Sequence, residues 1–91
     1  MGTVMLYAKL RELANGHREI DVPWSNGDSV GEVVTRLVHL KPELEGHIVG
    51  ADRAIVRYVS ILLDGRDVRY DDGLSTPLNE ESILSIFPPS R

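Results

Sequence analysis

The feature that most constrains the fold is a single amphipathic helix pattern in the first half of the chain. Apolar residues recur at helical spacing while polar side chains occupy the positions between them. The stripe consists of Val30, Val33, Val34, Leu37 and Val38. Because such a stripe must be buried against another element, the chain needs a partner layer that covers one face of this helix.

Both ends of the helix are marked in the sequence. Ser29 and Glu32 have the spacing of a capping box, in which each side chain accepts a hydrogen bond from the other residue's backbone N–H. Pro42 disfavours helical geometry at Lys41. We therefore predict a helix that starts after Ser29 and ends before Pro42.

Short β-rich segments lie on both sides of this helix. The predicted strands are residues 3–8, 17–22, 58–63, 66–70 and 82–87. Asn15-Gly16 and Asp64-Gly65 are turn signals that predict a hairpin before the helix and another after it. Pro88-Pro89 stops the last strand, because proline cannot continue a hydrogen-bonded ladder.

This order of elements predicts an α+β domain with two layers, in which one main helix crosses a mixed sheet of four to five strands. That arrangement is a β-grasp fold. A chain of 91 residues has room for one core, so we predict a single domain over residues 1–91. If the last strand returns beside the first, residues 88–91 project from the centre of the sheet as a tail.

Charge and composition exclude several classes of protein. The net charge of −4 disfavours nucleic acid as a partner, and the absence of cysteine excludes disulfides and thiolate metal sites. The sequence has no apolar run near the roughly 20 residues that a membrane helix needs, and no secretory signal pattern. We expect a cytoplasmic protein that binds neither nucleic acid nor a membrane.

Catalytic patterns are weak. The three histidines have no metal-ligand spacing, and the pairs Asp71-Asp72 and Glu80-Glu81 lie in turn-like segments where solvated charge is the ordinary role. We therefore expect no metal, no bound cofactor and no catalytic residue.

Strand alternation predicts which side chains face the helix. The predicted inward set is Val4, Leu6, Ala8, Val59, Ile61, Leu63, Leu84 and Ile86, and the outward set is Tyr7, Ser60, Leu62, Ser85 and Phe87. Three outward residues, Tyr7, Leu62 and Phe87, are large and apolar, so we predict an exposed patch that binds a partner near the tail. The alternative is three unrelated exposed apolar side chains.

Three segments together resemble the MoaD/ThiS group of ubiquitin-fold sulfur carriers, and within it the small subunit of molybdopterin synthase and its modifier-like relatives. They are Val4-Met5-Leu6-Tyr7-Ala8-Lys9-Leu10-Arg11-Glu12-Leu13, Tyr58-Val59-Ser60-Ile61-Leu62-Leu63-Asp64-Gly65-Arg66-Asp67-Val68-Arg69 and Ser85-Ile86-Phe87-Pro88-Pro89. The most telling motif is Phe-Pro-Pro after the last strand.

The resemblance implies a carrier rather than an enzyme. In this group an E1-like adenylating enzyme uses ATP to activate the carrier's C-terminal carboxylate, and a sulfur donor then displaces AMP to give a thiocarboxylate. The sulfur acceptor implied here is the large subunit of molybdopterin synthase or another enzyme. The residues expected to bind these partners are Tyr7, Leu62 and Phe87 on the face, with Pro88, Pro89, Ser90 and Arg91 as the arm.

One departure from the group's pattern leaves alternatives open. Its members normally continue two residues past Phe-Pro-Pro and then end in Gly-Gly, whereas this sequence stops at Ser90-Arg91. Either the two glycines are missing from this sequence, which we favour, or the chain is a binding or regulatory module that has kept the docking face without acyl chemistry. A third possibility is a ubiquitin-like modifier, whose activated terminus is conjugated to lysines of target proteins.

Overall fold

The computed structural model describes residues 2–89, which form five strands and two α-helices. In chain order the elements are β1 (Gly2–Leu6), α1 (Ala8–Leu13), β2 (Glu19–Val22), α2 (Val30–Leu40), β3 (Ser60–Leu63), β4 (Arg66–Asp67) and β5 (Ile83–Phe87). Short 3-10 turns cover Pro42–Leu44, Val68–Tyr70 and Gly73–Ser75. No helix within residues 2–89 is long and apolar enough to cross a bilayer.

The strands form one mixed sheet in the order β2-β1-β5-β3-β4. The central strand β5 runs parallel to β1 and antiparallel to β3. The last strand therefore returns beside the first, and α2 covers one face of the sheet. This confirms the predicted β-grasp fold, and it places the end of β5 between two neighbouring strands.

The main helix begins and ends where the sequence indicates. The Ser29 backbone N–H donates to Glu32 Oε1 at 2.8 Å, and the Glu32 N–H donates to Ser29 Oγ at 3.1 Å, which completes the capping box. The buried residues of α2 are Val30, Val33, Val34 and Leu37. The last turn closes with the Lys41 N–H bound to the Leu37 carbonyl at 2.8 Å, just before Pro42.

The core lies between α2 and the inward face of the sheet. Six of the eight predicted inward residues are buried: Val4, Leu6, Val59, Ile61, Leu84 and Ile86. Leu63 is partly buried and packs against this core. Ala8 was predicted wrongly. It is exposed and has a positive φ of 52°, because the chain leaves β1 at Leu6 and turns into α1.

The first hairpin also differs from its prediction, although β1 and β2 pair antiparallel as expected. The connection contains the helix α1, which the sequence did not predict. The predicted turn at Asn15-Gly16 is present and ends α1: the two residues have φ of 61° and 83°, and the Gly16 N–H donates to the Arg11 carbonyl at 2.8 Å. Such left-handed residues commonly terminate helices.

The second hairpin is tight, as predicted. Asp64 and Gly65 have φ of 51° and 87° and join β3 to β4, the geometry that an Asp-Gly hairpin turn requires. The predicted strand at residues 66–70 is shorter, since β4 ends at Asp67 and a 3-10 turn follows. Similarly, the strand predicted for residues 58–63 starts at Ser60, because Tyr58 has a positive φ of 69°.

Candidate functional site

The candidate site is the face of the sheet turned away from α2, here called the outer face, at the end where β5 stops. Phe87 is the last residue of β5, and Ser60 of β3 lies opposite it. On the other side, the Tyr7 ring stacks on the Phe87 ring, with centroids 4.2 Å apart and planes inclined by 9°. The structure therefore brings together two of the three predicted patch residues.

Tyr7 is positioned by the junction between β1 and α1. Its backbone is extended, with φ of −126° and ψ of 150°, so its side chain continues the outward alternation of β1. The Tyr7 carbonyl then accepts a hydrogen bond from the Leu10 N–H at 3.1 Å. Leu10 is buried, and this anchors α1 and fixes the direction in which the chain leaves β1.

Leu62 lies on the same face but in the neighbouring row of side chains. Its Cα is opposite Ser85 of β5 and opposite Asp67 of β4. Tyr7, Leu62 and Phe87 are all half-buried, so the patch is less exposed than the sequence indicated.

The outer face carries two further apolar residues that the predicted patch does not include. Met5 lies opposite Ser85, and Ile83 lies opposite Thr3. Ile83 is 48% exposed, which makes it the most exposed apolar residue of the strands. The alternation that placed Ser85 and Phe87 outward applies equally to Ile83, and that of β1 applies to Met5, so the signal was present in the sequence.

Together these residues form an apolar strip along the middle of the outer face, which consists of Met5, Tyr7, Leu62, Ile83 and Phe87. Carboxylates border it on both sides. On β2, Glu19 lies opposite Met5 and Asp21 lies opposite Thr3, whereas Asp67 of β4 lies opposite Leu62. An apolar strip between charged borders is typical of a protein-binding surface rather than of a small-molecule pocket.

The chain continues from this strip into the predicted arm. Pro88 and Pro89 follow β5 and are half-buried. Ser90 and Arg91, the other two predicted arm residues, lie outside the described residues.

The chemistry of the described residues does not indicate a reaction centre on this face. Residues 2–89 contain no cluster of three or more potential metal-ligating side chains. Within residues 2–89, the carboxyl group with a clearly shifted pKa is that of Asp28, on the opposite side of the sheet, where a hydrogen bond from the Arg36 guanidinium, and then one from the Ser25 N–H, lower its pKa. Arg36 and Asp28 form an ion pair of 2.7 Å beside the start of α2.

Comparison with known proteins relates this geometry to a described group. Residues 4–90 match the ThiS family. The chain is 30% identical to small archaeal modifier protein 3 of Haloferax volcanii over 91% of this chain and 88% of the relative. It is 31% identical to small archaeal modifier protein 1 of the same organism over 92% of this chain and 91% of the relative.

The crystal structure of Haloferax volcanii small archaeal modifier protein 1 has the same fold. It aligns with a TM-score of 0.83 and 28% identity over 96% of this chain and 94% of that chain.

Proposed function

Since the chain belongs to the ThiS family, we propose that it is a sulfur carrier resembling the small subunit of molybdopterin synthase. The family consists of small carrier and modifier proteins, and the match over residues 4–90 confirms the resemblance inferred from the sequence. In the proposed cycle an E1-like enzyme adenylates the C-terminal carboxylate and a sulfur nucleophile converts it to a thiocarboxylate. The acceptor is the large subunit of molybdopterin synthase or another sulfur-using enzyme.

The activation step has a clear chemical reason. A carboxylate at neutral pH is a poor acyl donor, because its oxygen is a poor leaving group. Attack of this oxygen on the α-phosphorus of ATP releases pyrophosphate and gives a mixed anhydride. The sulfur nucleophile then forms the C–S bond while the C–O bond to AMP breaks. The ATP-binding site and the catalytic groups belong to the partner enzyme, and this chain supplies the substrate terminus and a docking surface.

The observation that carries the proposal is the position of the arm. It starts at Pro88, directly after the central strand β5, which is held between β1 and β3. At that point the Tyr7 and Phe87 rings stack on each other beside the arm. A partner that binds the apolar strip would therefore meet the start of the arm at a fixed position, which helps to deliver a carboxylate to a distant active site.

A second candidate function is a protein modifier. It is favoured by the two relatives that are 30% and 31% identical, both of which are named small archaeal modifier proteins. The activation step is the same for both functions. They differ in the final acceptor, which is a lysine amine of a target protein for a modifier and a biosynthetic enzyme for a carrier.

The test uses the chain with Gly-Gly added after Arg91, and the chain without this addition as its matched control. Each is incubated with ATP, a sulfur donor and the E1-like enzyme encoded by the same organism, and intact mass is measured. We expect the extended chain to gain the mass of one sulfur-for-oxygen exchange. An unmodified extended chain, under conditions where the enzyme activates another carrier, contradicts the sulfur-carrier proposal.

The same extended chain, expressed with an affinity tag in its native cell, separates carrier from modifier. Isopeptide-linked peptides from target lysines support the modifier function. A thiocarboxylated pool without conjugates supports the carrier function.

A further inference from the structure

Tyr58, just before β3, combines two features that the apolar strip does not explain. The residue is 66% exposed, and its backbone φ is 69°. A bulky aromatic residue in the left-handed region is sterically disfavoured, and such strain persists only where the surrounding structure enforces it. Strained residues of this kind cluster at functional surfaces.

The backbone around Tyr58 is held firmly. The N–H of the buried Val59 donates to the Val56 carbonyl at 3.0 Å, and the Val56 N–H donates to the Ile48 carbonyl at 2.8 Å. The Arg69 guanidinium donates to the Val59 carbonyl from the other side. Because these bonds fix the loop before any partner arrives, binding through Tyr58 would cost little additional ordering.

Arg57 completes the feature. Its guanidinium carbon lies 5.1 Å from the centroid of the Tyr58 ring, within cation–π distance. Tyrosine and arginine are the residues most often found at the energetic centres of protein interfaces, with tryptophan. The guanidinium has N–H donors with the geometry to bind a carboxylate, and the tyrosine ring supplies a rigid apolar surface. We call these two residues the Arg57–Tyr58 pair.

The Arg57–Tyr58 pair is located at the tail end of the sheet. Tyr58 comes two residues before Ser60, and Ser60 lies opposite Phe87, the last residue before the arm. The pair therefore borders the arm on the β3 side, whereas Tyr7 borders it on the β1 side.

Charge is unequally distributed between the two ends of the sheet. The cations at the tail end are Lys9, Arg11, Arg18, Arg57 and Arg69, and the anions there are Glu12 of α1 and Glu19 at the start of β2. The segments around the start of β5, at the other end, carry Asp64, Glu80 and Glu81. Among residues 2–89 there are two ion pairs, Arg36–Asp28 and Arg66–Asp71, and neither includes a tail-end cation, although Arg69 donates to the Val59 carbonyl.

We propose that the Arg57–Tyr58 pair is a second docking element for the E1-like enzyme that receives the arm. The partner surface bound by the pair is a small apolar area surrounded by carboxylates. It lies beside the entrance to the enzyme site that receives the arm. Charge complementarity with the basic tail end orients the chain so that the arm meets this entrance. The proposal rests on the proposed function, because it requires a partner that accepts the C-terminus.

The test measures binding of the Gly-Gly-extended chain to the E1-like enzyme by calorimetry at several salt concentrations. Tyr58→Gly removes the ring, and we expect no loss of thermal stability, because glycine adopts a positive φ without a Cβ clash. Arg57→Gln removes the charge. Arg53→Gln is the matched control. Arg53 also has a positive φ, 65°, but together with Val38, Val49 and Leu74 it lines a groove beside α2, on the side of the sheet opposite the outer face.

We expect Tyr58→Gly to bind about tenfold more weakly or worse, as for the loss of an interface anchor. Arg57→Gln should weaken binding and flatten its salt dependence, whereas Arg53→Gln should do neither. Binding of Tyr58→Gly and Arg57→Gln at the level of the unsubstituted chain, with Phe87→Ala impaired, overturns this inference and leaves the proposed function intact. Failure of the unsubstituted extended chain to bind overturns both.

Discussion

The Tyr7 and Phe87 rings stack at the exit of the central strand, 4.2 Å apart and nearly parallel. Tyr7 follows the first strand and Phe87 ends the last, so the contact joins the two parallel strands at the centre of the sheet. The stack fixes where the arm begins, and it forms one end of the apolar strip on the outer face.

The Tyr7–Phe87 contact should contribute measurably to stability. Tyr7→Ala, Phe87→Ala and the double variant form a cycle, from which the coupling free energy follows. We expect a coupling of about 0.5–1.5 kcal/mol in urea unfolding, the range of aromatic pairs in proteins. Additive effects of the two substitutions would mean that the rings do not stabilise each other in solution.

Truncation of neighbouring residues of β5 should change the free energy of unfolding by very different amounts. Leu84 is fully buried against the core, so Leu84→Ala should lower the free energy of unfolding by about 2–5 kcal/mol. Ser85→Ala, one residue along on the outer face, is the matched control and should change it by no more than about 0.5 kcal/mol. Equal effects at the two positions would show that the face assignment is incorrect.

Gly2 should tolerate no side chain. A Cβ at this position would lie 1.9 Å from Cε2 and Cζ2 of Trp24, whose ring is held by a 2.8 Å hydrogen bond from Nε1 to the Asn79 carbonyl. We expect Gly2→Ala to destabilise the fold by about 1–3 kcal/mol through overpacking. The fluorescence of Trp24, the single tryptophan, reports the transition directly. Thr3→Val, on the outer face, is the control, and an equal loss there would refute the packing explanation.

The Asp28–Arg36 ion pair should make stability depend on pH. The hydrogen bond from Arg36 lowers the pKa of Asp28 in the folded state, so the ionised carboxylate stabilises the fold above the ordinary carboxyl range. This contribution is lost as the pH falls through the lowered pKa. Asp28→Asn should therefore be less stable than the unsubstituted protein at pH 7, and this difference should shrink as the pH falls through the lowered pKa of Asp28. Arg36→Gln should show the same convergence, and a difference that is constant with pH would argue against the ion pair.

The elements that the sequence predicted correctly are those specified by local signals. The capping box at Ser29 and the Asp64-Gly65 turn each depend on residues close in sequence, and both form as expected. The amphipathic stripe of α2 also correctly predicted that one face of a sheet packs against this helix.

The helix α1 was missed because its stability is tertiary. It has six residues and no side-chain cap, too short to form in isolation, and it is held by burial of Leu10 against the sheet. Because the charged residues Lys9 and Glu12 flank Leu10, the sequence pattern did not indicate that Leu10 is buried. The positive φ of Tyr58 is likewise not marked locally, because the bonds that hold its loop include two to residues distant in sequence: the Val56 N–H donates to the Ile48 carbonyl, and Arg69 donates to the Val59 carbonyl.

The candidate site was predicted in part. Alternation along the strands placed Tyr7 and Phe87 on one face, but only the sheet order shows that they touch. That order depends on pairing between strands at opposite ends of the chain, which local patterns do not encode. The role of the predicted residues in docking stays a prediction.

The most direct measurement is the footprint of the E1-like enzyme on this chain. Methyl NMR spectra of the Gly-Gly-extended chain, labelled at methionine, isoleucine, leucine and valine, report both sides of the molecule. We predict that enzyme binding shifts and broadens the methyl signals of Met5, Leu62 and Ile83 on the outer face, whereas Val38, Val49 and Leu74 beside the α2 groove stay unchanged. A footprint on the groove residues with an unperturbed outer face would contradict the account.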